Sequence, residues 1–169
     1  MYDKLAAGSD LTNEGRPDLL ARDRSGVLWL CKSTGDGTKP FAPRVRIGGG
    51  WNTCTTHLIA PGNLGGATAG DLLALDKAGV LWLYFGKGNG TFAPRTRVGG
   101  GWTYQQIVNI GDIDRDGRAD LLAEYGPADG YVRLSVYKGT GDWKAPFHFF
   151  MGSEWLRHGQ SRSPCLPCS

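Results

Sequence analysis

The chain has 169 residues, is 40% hydrophobic and carries a net charge of +3. That length builds a packed core without a disulfide or metal staple. The basic residues stand singly, which argues against a nucleic-acid surface, and no apolar run approaches the roughly eighteen residues of a membrane helix.

The first ten residues lack the apolar core of a signal peptide. The stretch from Asp18 to Leu30, DLLARDRSGVLWL, reads as two strands joined by a hairpin turn at Ser25-Gly26. A Gly-rich turn over Lys32–Gly37 leads to a strand carrying Arg44, Val45, Arg46 and Ile47. Gly48-Gly49-Gly50-Trp51 follows, and then a strand over His57, Leu58 and Ile59. The chain then writes the same series again: Asp71-Leu72-Leu73, Gly79–Leu83 after an Ala78-Gly79 turn, Gly86–Gly90, Phe92–Trp102 and Ile107–Asn109. A third, looser copy has Asp120-Leu121-Leu122, an Asp129-Gly130 turn, Gly130–Tyr137 and Met151–Trp155. Glycine, with 27 copies, sits mostly at the turns.

Trp51, Trp102 and Trp155 are spaced by 51 and 53 residues, a period that signals a repeat architecture. Short, β-rich apolar runs bounded by turn residues exclude helical repeats. Four antiparallel strands per unit describe a propeller blade. The expected fold is therefore all-β, with tandem blades over about residues 1–50, 51–101 and 102–155 and an irregular, disordered tail over 156–169. The glycine tract is expected to turn the chain sharply between blades where backbones approach closely, so that Trp51 and Trp102 pack on the neighbouring blade. A ligand contact at these residues is the alternative.

The third copy contains an acidic run, Asp112-Ile113-Asp114-Arg115-Asp116-Gly117-Arg118-Ala119-Asp120. Alternating carboxylates at Asp112, Asp114 and Asp116, a turn at Gly117, a carbonyl from Arg118 and a closing Asp120 offer the many oxygens that calcium takes. The other copies decay: Asp10, Thr12, Glu14, Gly15 and Asp18 in the first, and Asn63, Gly65, Ala67 and Asp71 in the second. A turn held by local Asp hydrogen bonds is the simpler alternative.

The acidic run resembles the FG-GAP or VCBS repeat, which implies a β-propeller and a secreted or extracellular setting. The two Arg-x-Gly-Gly-Gly-Trp tracts resemble those of tachylectin-type propeller lectins. That second resemblance implies carbohydrate sites between blades, at Gly49, Gly50, Trp51 and Asn52 and at Gly100, Gly101, Trp102 and Thr103, with N-acetylated amino sugars as the usual ligand.

None of His57, His148 and His158 stands in a nucleophile–base pattern, and no hydrolase, metalloprotease or phosphate-loop motif is present. The expectation is a non-enzymatic, lectin-like module that binds cell-surface carbohydrate, with a calcium-stabilised scaffold, for protein interaction or appended to a secreted hydrolase, as the alternative. Cys31 stands where Tyr84 and Tyr137 stand, as a small buried replacement for a ring, and Cys165-x-x-Cys168 is half of a zinc site without a second pair. Three blades do not close a ring, since propellers use about four to eight. A homo-oligomer, or neighbouring blades of a longer chain, is therefore expected. The first strand is expected to enter in mid-blade, leaving blades shared between chains.

Overall fold

The computed structural model describes residues 1–52, 55–66, 68–126 and 131–157. The expected tail, Cys54, Cys165, Cys168, Ala67 and the Asp129-Gly130 turn lie outside the described residues. Among the described residues, twelve strands occur in chain order. β1 (Tyr2–Ala7), β2 (Leu19–Asp23), β3 (Leu28–Cys31) and β4 (Val45–Gly48) form blade one. β5 (Thr55–Gly62), β6 (Asp71–Asp76), β7 (Leu81–Tyr84) and β8 (Thr96–Gly99) form blade two. β9 (Gln106–Gly111), β10 (Asp120–Tyr125), β11 (Tyr131–Gly139) and β12 (Phe147–Arg157) form blade three. Every pairing is antiparallel and every sheet is a four-stranded meander in sequence order, so the fold is all-β and of the propeller type. No helix among the described residues is long and apolar enough to cross a membrane.

The hairpin turns form for a local reason. The Asp23 carboxylate accepts hydrogen bonds from Val27 N, Ser25 Oγ and Trp29 Nε1, while Gly26 at φ +81° closes the turn by donating to Asp23 O. Asp76 repeats this with Val80 N, Ala78 N and Trp82 Nε1. The Trp29 indole N–H, the largest influence on Asp23, helps hold its carboxyl down to about 2.

The apolar core lies between blades. Leu20, Leu28 and Leu30 of blade one meet Leu58, Leu72 and Ala74 of blade two. Ile59, Leu73 and Leu83 of blade two meet Ile107, Leu121 and Ala123 of blade three. Strand β6 therefore buries alternate residues in opposite directions, Leu72 and Ala74 towards blade one and Leu73 and Leu75 towards blade three. That is why its sequence is apolar without alternation. The innermost strands β1, β5 and β9 touch in turn, and Asn109 Nδ2 donates to Ala60 O across one of these contacts at 3.1 Å.

One expectation is corrected. β1 does not enter in mid-blade; it pairs with β2 from Ala7↔Leu19 back to Tyr2↔Asp23 as the innermost strand of blade one. Among the described residues, each blade is thus built from four consecutive strands of this chain.

Candidate functional site

The three acidic loops share one buried anchor. Asp18, Asp71 and Asp120 are each almost fully buried at the head of the Asp-Leu-Leu run. Asp120 Oδ2 accepts from Ile113 N at 2.9 Å and Oδ1 from Gly139 N at 2.9 Å. Asp71 binds Leu64 N and Gly86 N in the same way, and Asp18 binds Leu11 N, Ser33 N and the Thr12 hydroxyl. Each carboxylate ties its loop to the chain at the end of the blade's third strand, at Ser33, Gly86 and Gly139. Burial is the largest influence on Asp71 and raises its carboxyl above the ordinary value, although both amides favour the charged form.

Asp112, Asp114 and Asp116 come together at the exposed head of the third loop, their ligand atoms all within 4.8 Å of one another. Asp112 is aimed by Asp116 N at 3.0 Å and Gly117 N at 2.8 Å. The turn that makes this possible places Arg115 at φ +64° and Gly117 at φ +86°. Asp120 is not in this group. Its carboxylate lies beneath the loop with both oxygens taken by backbone amides, so the fourth acid of the motif positions the other three. Arg118, expected to offer its carbonyl, meets Asp116 through its own amide at 2.9 Å and through Nη1 at 3.0 Å. Lys138 reaches the loop from β11, with Nζ 2.9 Å from Asp114 Oδ2. That hydrogen bond is the main reason the Asp114 carboxyl sits below its ordinary value.

The first loop has the same backbone and a different head. Asp10 accepts from Gly15, Glu14 and Thr12 N, and Asn13 takes the left-handed position at φ +56°. Burial raises the Asp10 carboxyl, and these amides more than offset it. Glu14 pairs with Lys32 and Arg16. Lys32 and Lys138 occupy equivalent positions, each directly after the third-strand residue aligned with Tyr84. In the second loop, Asn63 Oδ1 caps Gly65 N at 2.8 Å.

The glycine–tryptophan tracts are built alike. Gly50 and Gly101 adopt φ +85° and +86°, and a side chain at Gly50 would meet no atom within 4 Å. The need there is conformational, not the close backbone approach expected from sequence. The turn brings Trp51 N to Gly26 O and Trp102 N to Gly79 O, each at 3.0 Å, fastening the tract to its own blade's hairpin. The indoles then cross to the next blade: Trp51 lies 4.8 Å from Tyr84 at 39°, and Trp102 lies 4.8 Å from Tyr137 at 38°. Asn52 lies over Gly26, where a side chain would fall 2.2 Å from Asn52 Oδ1. Trp102 and exposed Thr103 also line a cleft of about 330 Å³ between blades two and three, together with Thr56, His57, Asp76 and Tyr104. Trp51 lines another between blades one and two with Tyr84, Lys87 and Phe92.

The polar residues at the junctions escaped sequence reasoning. Arg22, nearly buried, pairs with Asp3 at 2.7 Å and donates to the Trp51 and Thr55 carbonyls. At the next junction His57 Nε2 meets Gln105 O at 2.8 Å. The buried anchors had a signal: Asp18, Asp71 and Asp120 form the one acidic position kept in all three copies, so its role had to be common to all three.

Residues 69–123 match the family model of the FG-GAP-like repeat. The match runs from the entry to β6 through the third acidic loop to β10, about a third of the chain. It supports a β-propeller-like repeat module. No curated protein matches the chain.

Proposed function

We propose that this chain is a non-catalytic propeller module that acts as a protein-interaction scaffold outside the cell, with its third loop fixed by calcium. The observation that carries this reading is the convergence of Asp112, Asp114 and Asp116 within 4.8 Å. Hard oxygen donors of this kind suit calcium, and close like charges repel without a cation. Asp112, Asp114 and Asp116 would hold the ion, Gly117 provides the turn and Asp120 supports the loop from below. The bound ion would neutralise the cluster and stiffen the loop.

Calorimetry in calcium and in chelator tests the proposal. Calcium at 100 times its Kd stabilises the folded chain by about 2.7 kcal/mol. Asp114→Asn removes most of that shift and Glu14→Gln leaves it. A wild-type melting curve indifferent to millimolar calcium overturns the calcium assignment.

Carbohydrate binding is a second reading, favoured by one observation: the cleft beside Trp102 combines an indole with Thr103, Asp76 and His57, the mixture of flat apolar and fixed polar surface that sugars require. Sugar recognition on a glycan array, lost in Thr103→Arg, would make the module a lectin. A calcium shift without sugar binding favours the scaffold.

A further inference from the structure

We infer that the uncovered faces of blades one and three are the two halves of one interface, and that a second copy of this chain occupies it head to tail. The inference rests on the fold alone and stands or falls apart from the calcium and carbohydrate readings.

Two internal junctions define the interface. The earlier blade presents a row across its first three strands: Ala6–Leu20–Leu30 in blade one and Ile59–Leu73–Leu83 in blade two. The later blade answers with Leu58, Leu72 and Tyr84 at the first junction and with Ile107, Leu121 and Tyr137 at the second. By register, the presenting row of blade three is Val108–Leu122–Val136, and the answering positions of blade one include Leu5 and Cys31.

Both of these rows are open in the single chain. Leu5 is 61% exposed, whereas its counterparts Leu58 and Ile107 are 7% and 4% exposed. Val108 is 43% exposed, whereas Ala6 and Ile59 are 6% and 3%. Met151, paired with Val136 on β12, is also exposed. Leu122 and Val136 are half-buried, where Leu20, Leu30, Leu73 and Leu83 are buried.

The loops repeat the pattern. The Gly86–Gly90 turn of blade two rests on the first acidic loop, with Gly90 N donating to Leu11 O at 2.9 Å. The Gly139–Trp143 turn of blade three rests on the second, where a side chain at Gly65 would fall 2.7 Å from Gly141 O. The third acidic loop and the corresponding turn of blade one, residues 34–38, remain largely exposed. One chain therefore carries both halves of an interface that it has already formed twice. Such a heterologous contact closes into a ring or runs on. Two copies supply six blades, inside the range of about four to eight at which propellers close, and closure covers both apolar faces.

Light scattering and native mass spectrometry on the full chain at tens of micromolar test this, with and without chelator. The expected mass is twice 18.2 kDa. Leu5→Glu and Val108→Glu each sit at exposed positions, so each should leave the strand circular dichroism intact and return the chain to 18.2 kDa. Mixing the two variants restores one intact interface, Val108 of the Leu5→Glu copy against Leu5 of the other, and a heterodimer reappears. That recovery separates a broken interface from a misfolded chain. A monomeric wild type, a dimer that either substitution leaves intact, or no heterodimer on mixing overturns the inference.

Discussion

The first and third acidic loops have the same backbone and different chemistry at the tip. Both begin with an Asp that caps the turn, at Asp10 and Asp112; both place a non-glycine residue in the left-handed region, at Asn13 and Arg115; both stand on a buried Asp, at Asp18 and Asp120. Both receive a lysine from the third strand's end. Of the positions that carry the three clustered acids of the third loop, two differ: Thr12 and Glu14 stand where Asp114 and Asp116 stand. The Thr12 hydroxyl turns down onto the buried Asp18, and Glu14 is taken by Lys32 and Arg16. The loop's shape therefore comes from the buried carboxylate and the backbone, and the clustering of acids is a separate feature carried at its tip.

The strongest way to break this comparison is to remove the common support. Asp120→Ala strands two backbone amides, those of Ile113 and Gly139; Asp18→Ala strands those of Leu11 and Ser33 and the Thr12 hydroxyl. Each buried polar group left without an acceptor costs about 1–3 kcal/mol. For a chain of this size, each kcal/mol lowers Tm by roughly 2–4 °C. Urea unfolding should show both variants strongly destabilised, with Asp18→Ala at least as affected. If either is neutral, the buried carboxylate is not the support.

A smaller effect comes from converting one tip into the other. Thr12→Asp with Glu14→Asp gives the first loop the three acids of the third. Titration calorimetry should then count one more calcium per chain than in wild type, and the added site should contribute about 2.7 kcal/mol at 100 times its Kd. An unchanged stoichiometry would mean that these two residues are not enough to convert one tip into the other.

The repeat was legible because propeller blades use one strand pattern many times, so three partial copies of Asp-Leu-Leu and Gly-Val-Leu-Trp-Leu reinforce each other. The four-stranded blade and the crossing of Trp51 and Trp102 to the next blade follow from that pattern. The division of labour inside the acidic motif was not legible. Asp120 stands in line with the other acids, but the register shifts between Asp120 and Leu121 as the loop enters β10, and the carboxylate turns inward. Sequence spacing does not reveal such a turn. Nor does it reveal partners set by packing, such as Arg22 with the carbonyl of Thr55, or His57 with that of Gln105. Those pairs are distant in sequence and differ between the two junctions, so the repeat offers no second copy from which to read them.

The finest test separates the lysines from the acids they meet. In the third loop the Lys138 ammonium already holds Asp114 and would compete with the proposed calcium; in the first, Lys32 meets Glu14, away from any such cluster. A solvent-screened pair of this kind is weak, so Lys138→Met should tighten calcium binding by no more than about fivefold. Lys32→Met should create no site. The same substitutions should move the carboxyls. Asp114 is held below its ordinary value chiefly by the Lys138 hydrogen bond, and Glu14 below its own chiefly by that of Lys32. A depressed carboxyl stabilises the fold at pH values above its unfolded pKa, and that contribution fades as pH falls through the folded one. Both contributions are therefore complete at neutral pH and vanish in acid, below the ordinary Asp and Glu range. Carboxyl-carbon NMR titration without calcium should show Asp114 rising towards its ordinary value in Lys138→Met and Glu14 doing so in Lys32→Met. Each substitution should leave the other loop unmoved. If Asp114 stays low without Lys138, its depression comes from the loop backbone, and the two tips are more alike than their side chains suggest.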